Sequence, residues 1–191
     1  FITHGHADSS SGVYDLVRLM SKQKHQSTLY VERETWEQFS EISRRVKPWV
    51  TVRYLTPGVA VQACGTRIMP FRVPHSTTDG FPTLGFRIGK DLVYASDVSS
   101  IPKDSASYIR GVKHLILDGC MWFGKKTASH LTVDKTIHIA ARLRVEHLYI
   151  TQVSHSYPAH TEAWWKIRAF CNKQKITIPV TLAYDGYTFT V

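Results

Sequence analysis

Three side chains able to hold a metal ion stand at two-residue spacing near the start of the chain: His4, His6 and Asp8. Phe1 and Ile2 before them read as the end of a strand, and on extended backbone residues i, i+2 and i+4 project to one side. Imidazole nitrogens and a hard carboxylate oxygen suit zinc or a similar divalent ion. Taken singly, each histidine also fits a polar strand end; the triplet favours the metal. Further candidates lie downstream. His75 follows Pro74 at the end of an extended run, and Asp97 closes Tyr94-Ala95-Ser96-Asp97. His130 lies in Ser129-His130-Leu131-Thr132, and His155 ends Thr151-Gln152-Val153-Ser154-His155. By residue type alone, His130 also fits the exposed start of a helix, and Asp97 a helix N-cap. Ser99, Ser100 and Asp104 are better caps for the helix that Pro102 announces, which leaves Asp97 available as a ligand.

These side chains depend on elements to carry them. Hydrophobic spacing predicts a helix over 13–20, a polar loop over 21–27, a short strand over 28–31 and a helix over 32–46. In the last, Trp36, Phe39, Ile42 and Val46 recur at helical spacing, Arg44, Arg45 and Lys47 complement the C-terminal dipole, and Pro48 closes the helix. Val50, Val52 and Tyr54 alternate as a strand does. Residues 67–73 form an extended run that delivers His75. Residues 83–88 and 92–95 pair as a hairpin around Gly89-Lys90-Asp91 and deliver Asp97. Residues 114–118 read as a continuously apolar buried strand. Val133, Ile137, Ala140 and Ala141 line one face of a helix that leaves His138 and Arg142 outside. A strand over 147–151 follows, then a helix over 161–172 whose Trp164, Trp165, Ile167 and Phe170 cover a sheet. Strands over 176–183 and 187–191 close the chain across Asp185-Gly186.

A length of 191 residues, 43% hydrophobic and 20% charged, suits one globular domain spanning 1–191. No apolar run reaches membrane-span length and no signal-peptide pattern is present, so a membrane partner is not expected. Cys64, Cys120 and Cys171 are sparse, odd in number and free of any C-x-x-C pairing, which predicts buried free thiols and an intracellular, cytoplasmic or organellar (for instance mitochondrial) setting. The formal charge of +9 favours anionic partners, either a phosphodiester substrate or RNA and ribonucleoprotein.

Thr3-His4-Gly5-His6-Ala7-Asp8 resembles the T-H-x-H-x-D-H signature of the metallo-β-lactamase superfamily, with Ser9 in place of the final histidine. Gly12 to Arg18 resembles the G-x-x-D-L-R stretch of its PhnP-like cyclic phosphodiesterase branch. Tyr94 to Asp97 resembles Y-x-S-D, Thr151 to His155 resembles T-H-x-S-H with Gln152 at the first histidine, and Ala183 to Gly186 resembles the branch's A-x-D-G ending. The resemblance implies an α+β fold, an αββα sandwich with metals at one sheet edge, here entered after its first strands. It also implies a first metal site of His4, His6, His75 and Asp97. A second site would keep Asp8 and Asp97 but has Ser9 and Gln152 where imidazoles belong. His130 matches a histidine that protonates the leaving oxygen, and His155 matches a non-ligand histidine of the active site.

Hydroxyl and amide oxygens are weak neutral donors beside imidazole, so the expectation is one Zn²⁺ or Mn²⁺ per chain, the second ion weak or absent. The leading reading is a phosphodiester hydrolase in which Asp8 orients or deprotonates water and His130 acts as acid. The competing reading is a catalytically degenerate subunit with a structural or RNA-binding role. Thioester or lactam hydrolysis shares the first motif and lacks the branch-specific segments.

Overall fold

The computed structural model describes residues 1–38, 46–75, 80–125 and 127–191. The chain opens with a single helical turn, α1 (Ala7–Ser10), and a longer helix, α2 (Gly12–Gln23). Two parallel strands follow, β1 (Ser27–Glu32) and β2 (Val50–Leu55), joined in part by α3 (Arg33–Gln38) and a 3-10 turn over Lys47–Trp49. Val13 and Val17 of α2 pack on Leu29 and Val31 of β1, with Ile2, Val46 and Val50 completing that cluster. The helix predicted over 32–46 is found as far as Gln38; Phe39, Ile42, Arg44 and Arg45 lie outside the described residues. Pro48 sits within the 3-10 turn.

A seven-stranded sheet forms the body of the fold, in the order β3-β4-β5-β6-β7-β8-β9. Its first four strands, β3 (Val61–Ala63), β4 (Thr66–Val73), β5 (Thr83–Ile88) and β6 (Leu92–Ala95), are antiparallel. From β6 onward the neighbours are parallel: β7 (His114–Asp118), β8 (His147–Thr151) and β9 (Val180–Leu182). Each parallel step needs a crossover, supplied by α4 (Lys103–Ile109), α5 (Val133–Arg142) and α6 (His160–Lys173). These helices bury one sheet face: Leu115 and Leu117 of β7, Leu148 and Ile150 of β8, Ile137 of α5 and Ile167 of α6 are at most 2% exposed.

The topology decides where chemistry gathers. In-register parallel strands end side by side, and ligands bind beyond their carboxyl ends. Ala95 pairs Leu117, and Asp118 pairs Thr151. Asp97, Asp118 and Gln152 therefore emerge along one edge.

Several details differ from the sequence reading. β7 alternates, with Ile116 half-buried on the face away from the helices. The buried face of α6 is Ala163, Ile167 and Cys171, a clean i, i+4, i+8 stripe, whereas Trp165 is 58% exposed and Arg168 stacks over Trp164 at 4.7 Å. The final strand shortens to Val180–Leu182, and residues 187–191 form no strand. Phe189 instead stacks on Tyr149 at 4.3 Å, so aromatic packing rather than ladder hydrogen bonding holds the end of the chain to the sheet. The three cysteines are free, but Cys64 is exposed and Cys120 half-buried. No helix among the described residues is long and apolar enough to cross a membrane.

Candidate metal centre

Residues 1–3 are clamped between two strands: the Ile2 N–H donates to Tyr30 O at 2.9 Å, and the Leu84 N–H donates to Thr3 O at 3.0 Å. The chain then turns. His6 O accepts from the Ser9 N–H at 3.1 Å and from Ser10 Oγ at 2.8 Å, which closes α1. Asp8 therefore sits exposed on a helical turn, not on the extended backbone expected for it, because local serine hydrogen bonds favour helix from Ala7 onward. Gly5 allows the close packing here: a Cβ on it would lie 1.9 Å from Phe81 Cε1, and that ring packs 5.3 Å from His6.

Three imidazoles meet just after this clamp. His4 Nε2 lies 2.9 Å from His6 Nδ1, and His75 Nε2 lies 3.2 Å from the same atom. His4 is fully buried and His75 8% exposed. The outer nitrogens are engaged: His4 Nδ1 with Thr3 Oγ1 at 3.0 Å, and His75 Nδ1 as donor to Ser129 O at 2.7 Å. A carbonyl only accepts, so His75 Nδ1 carries a proton, and its Nε2 faces the other two rings. A cation among these three nitrogens would accept a lone pair from each. Tetrahedral ligation at about 2.1 Å sets nitrogens roughly 3.4 Å apart, close to the spacing seen. The donor set thus fits a divalent ion.

Burial lowers the pKa of His4 from 6.5 to about 4, despite the opposing Asp97 carboxylate, so the ring is neutral and ligand-ready at neutral pH. Between pH 6.5 and 4 the unfolded chain takes up a proton that the folded chain refuses, so the metal-free protein loses stability as pH falls through that window. The loss is measured by urea unfolding of chelated protein between those two pH values. In a His4→Gln variant this part of the slope disappears.

Asp97 is 2% exposed beyond the end of β6. It groups with His75 and His130, their donor atoms all within 4.8 Å of one another, while His4, His6 and His75 form a second such group. His75 is the shared member. The two carboxylate oxygens of Asp97 accept from the Ser96 hydroxyl and from Gln152 Nε2, the latter at 2.6 Å. Gln152 reaches this position from a left-handed backbone, φ +61°.

His130 leans on the end of β7. Its Nδ1 donates to Asp118 Oδ2 at 2.7 Å. Asp118 is fully buried and also accepts from the Val98 and Cys120 N–H groups, each at 2.8 Å. Burial pushes its carboxyl up, while these donors pull it back. With three N–H groups directed at its oxygens, Asp118 acts as an ionised acceptor. Its hydrogen bond raises the pKa of His130 above 6.5. In sequence, Asp118 is the acid that ends an apolar strand and an L-I-L-D segment resembling the family's, with no role attached to it, and nothing marks the Ser129 carbonyl.

The remaining candidates sit at the margin. Asp8, Ser9 and Gln152 line a cavity of about 400 Å³ together with Thr3, Ser96 and Thr151. His155 is exposed and joins neither ligand group. Among the described residues, Asp8 joins neither group as well.

No curated protein matches the sequence. Solved structures do match. A diphosphatase from the PhnP family is 28% identical with a TM-score of 0.78, covering 99% of this chain and 69% of that one. The metallo-β-lactamase fold protein YhfI from Bacillus subtilis is 17% identical (TM-score 0.79, 97% and 74% covered). Zinc-bound PqqB from Methylobacterium extorquens is 18% identical (TM-score 0.79, 99% and 71% covered). The beta-lactamase superfamily domain matches residues 1–151. With its metallo-β-lactamase fold and its histidine cluster beyond the strand ends, this chain belongs to the beta-lactamase superfamily.

Proposed function

We propose that the chain is a metal-dependent hydrolase of phosphodiesters that works with one divalent ion, zinc or manganese. The observation that carries this reading is the convergence of His4, His6 and His75 on one point, with Asp97 and His130 grouped around the same His75. The likeness to a PhnP-family diphosphatase supports the choice of a phosphate ester.

His4, His6 and His75 would hold the ion, with Asp97 as the carboxylate member. A divalent ion there supplies Lewis-acid activation of water and of the phosphoryl oxygen. The chain's own groups do the rest. Thr3 and the Ser129 carbonyl fix the ring orientations of His4 and His75. Ser96 and Gln152 hold Asp97 in place. His130, kept protonated by Asp118, gives its proton to the departing oxygen. Asp8, at the rim of the adjoining cavity, orients water.

Gln152 also accounts for a single ion. Its amide N–H donates to Asp97 where an imidazole ligand would otherwise stand, and Ser9 offers only a hydroxyl. Replacing both, Ser9→His with Gln152→His, is expected to raise bound zinc from one to two ions per chain, measured by elemental analysis after dialysis. A count that stays at one contradicts this account of the second site.

Hydrolysis of bis(p-nitrophenyl) phosphate by the zinc- or manganese-loaded protein, abolished by a chelator, is the expected result. No turnover with any divalent ion, together with RNA retention in a gel shift, would instead support the non-catalytic reading that the +9 charge suggested.

A further inference from the structure

We propose that Tyr184 forms a subsite for an uncharged planar ring, carried by the ester group that stays on the phosphate. The proposal rests on the phosphodiester reading above and names the substrate feature that the site selects.

The placement comes from strand register. The Ala183 N–H donates to Ile150 O at 3.0 Å, which lays residues 183–185 alongside 151–153. Between them lies a cleft of about 400 Å³ lined by Thr151, Gln152, Val153, Ala183, Tyr184 and Asp185. Gln152 lines this cleft as well as the cavity that holds Asp8 and Ser9, and its amide donates to Asp97. The cleft therefore opens one side chain away from the candidate metal centre.

Tyr184 is presented, not loose. It is 58% exposed, yet its ring meets His160 at 5.7 Å and Tyr187 at 5.4 Å, both edge to face. His160 is anchored by its Nε2 to Leu182 O at 3.2 Å. The turn beneath is closed by the Tyr187 N–H donating to Tyr184 O at 3.0 Å, with Gly186 at φ +87°. A buttressed, exposed aromatic face is a stacking platform. Val153, 44% exposed, extends the apolar wall.

Charge defines what the cleft accepts. The chain carries +9, yet among the described residues neither this cleft nor the adjoining cavity has a lysine or arginine in its wall, while Asp185 and Asp8 stand there. A second phosphate there would face carboxylates, whereas a neutral ring would not. His130 and Gln152 contact Asp118 and Asp97 respectively. His130 lines neither this cleft nor the adjoining cavity, so the departing group that it protonates lies outside them and the cleft is left for the retained group.

The test holds the leaving group constant. Bis(p-nitrophenyl) phosphate and methyl p-nitrophenyl phosphate release the same p-nitrophenolate and differ only in the retained group. Their kcat/KM ratio is measured for wild type, Tyr184→Ala and Tyr184→Phe, so intrinsic reactivity cancels between variants. The ratio is expected to fall about tenfold in Tyr184→Ala, mainly through KM, and to stay within about twofold of wild type in Tyr184→Phe. An unchanged ratio in Tyr184→Ala overturns the proposal. If neither ester is hydrolysed, the phosphodiester reading fails, and calorimetric binding of phenyl phosphate against methyl phosphate to the metal-loaded protein decides the subsite. Tighter phenyl phosphate binding that Tyr184→Ala removes supports it; equal binding, or binding of neither, overturns it.

Discussion

Replacing His75 by alanine is expected to abolish metal retention and lower phosphodiester hydrolysis about a thousandfold, the loss of several kcal/mol of Lewis-acid assistance. The effect should exceed that at any other single position because His75 belongs to both ligand groups. His4→Ala would also remove a ligand, but it opens a void at a fully buried site, so its activity loss mixes chemistry with folding. His75 is 8% exposed and lies two residues beyond the end of β4. Elemental analysis and circular dichroism on the same sample separate the two causes. A His75→Ala protein that keeps one tightly bound ion and full activity would remove His75 from the centre altogether.

Loss of His130 is expected to be the second large effect, and it should depend on the leaving group. A general acid contributes roughly a hundredfold to ten-thousandfold where the departing oxygen needs a proton. His130→Ala should therefore slow hydrolysis of an alkyl ester about a hundredfold or more while affecting a p-nitrophenyl ester far less, since p-nitrophenolate leaves unaided. Asp118→Asn acts through the same ring. The Asp118 carboxylate holds the His130 pKa above 6.5, so activity that needs the protonated ring persists below that raised value and is lost as pH rises through it. Removing the charge should move the alkaline limb of the alkyl-ester pH profile downward, toward the ordinary histidine value. An alkaline limb unmoved by Asp118→Asn would assign it to another group.

The parts of the molecule that could be read from sequence share one property: they are local. Strands 114–118 and 147–151 follow from short apolar runs and the helix from Val133 from helical spacing, because each packs against the same core. His4, His6, His75 and Asp97 were visible as residue types at strand ends. What was not legible depends on partners distant in sequence. The helical turn that carries Asp8 away from its neighbours arises from hydrogen bonds back to His6 O. Asp118 acquires its role only when β7 places it beside Val98, Cys120 and His130. Gln152 reads as a lost ligand in sequence; in three dimensions its amide donates to Asp97 from a left-handed backbone. Phe189 looks like a strand residue until Tyr149 offers it a ring to stack on. Trp165 fits a helical core pattern, yet the register set by Ala163, Ile167 and Cys171 turns it outward.

The central claim is that one divalent ion sits among His4, His6 and His75. Anomalous diffraction from zinc-loaded crystals, collected at the zinc edge, tests it directly. The account predicts a single strong peak per chain within bonding distance of those three imidazoles and on the side facing Asp97. Two peaks of equal strength, or one peak elsewhere with the three rings left hydrogen-bonded to one another, would contradict it.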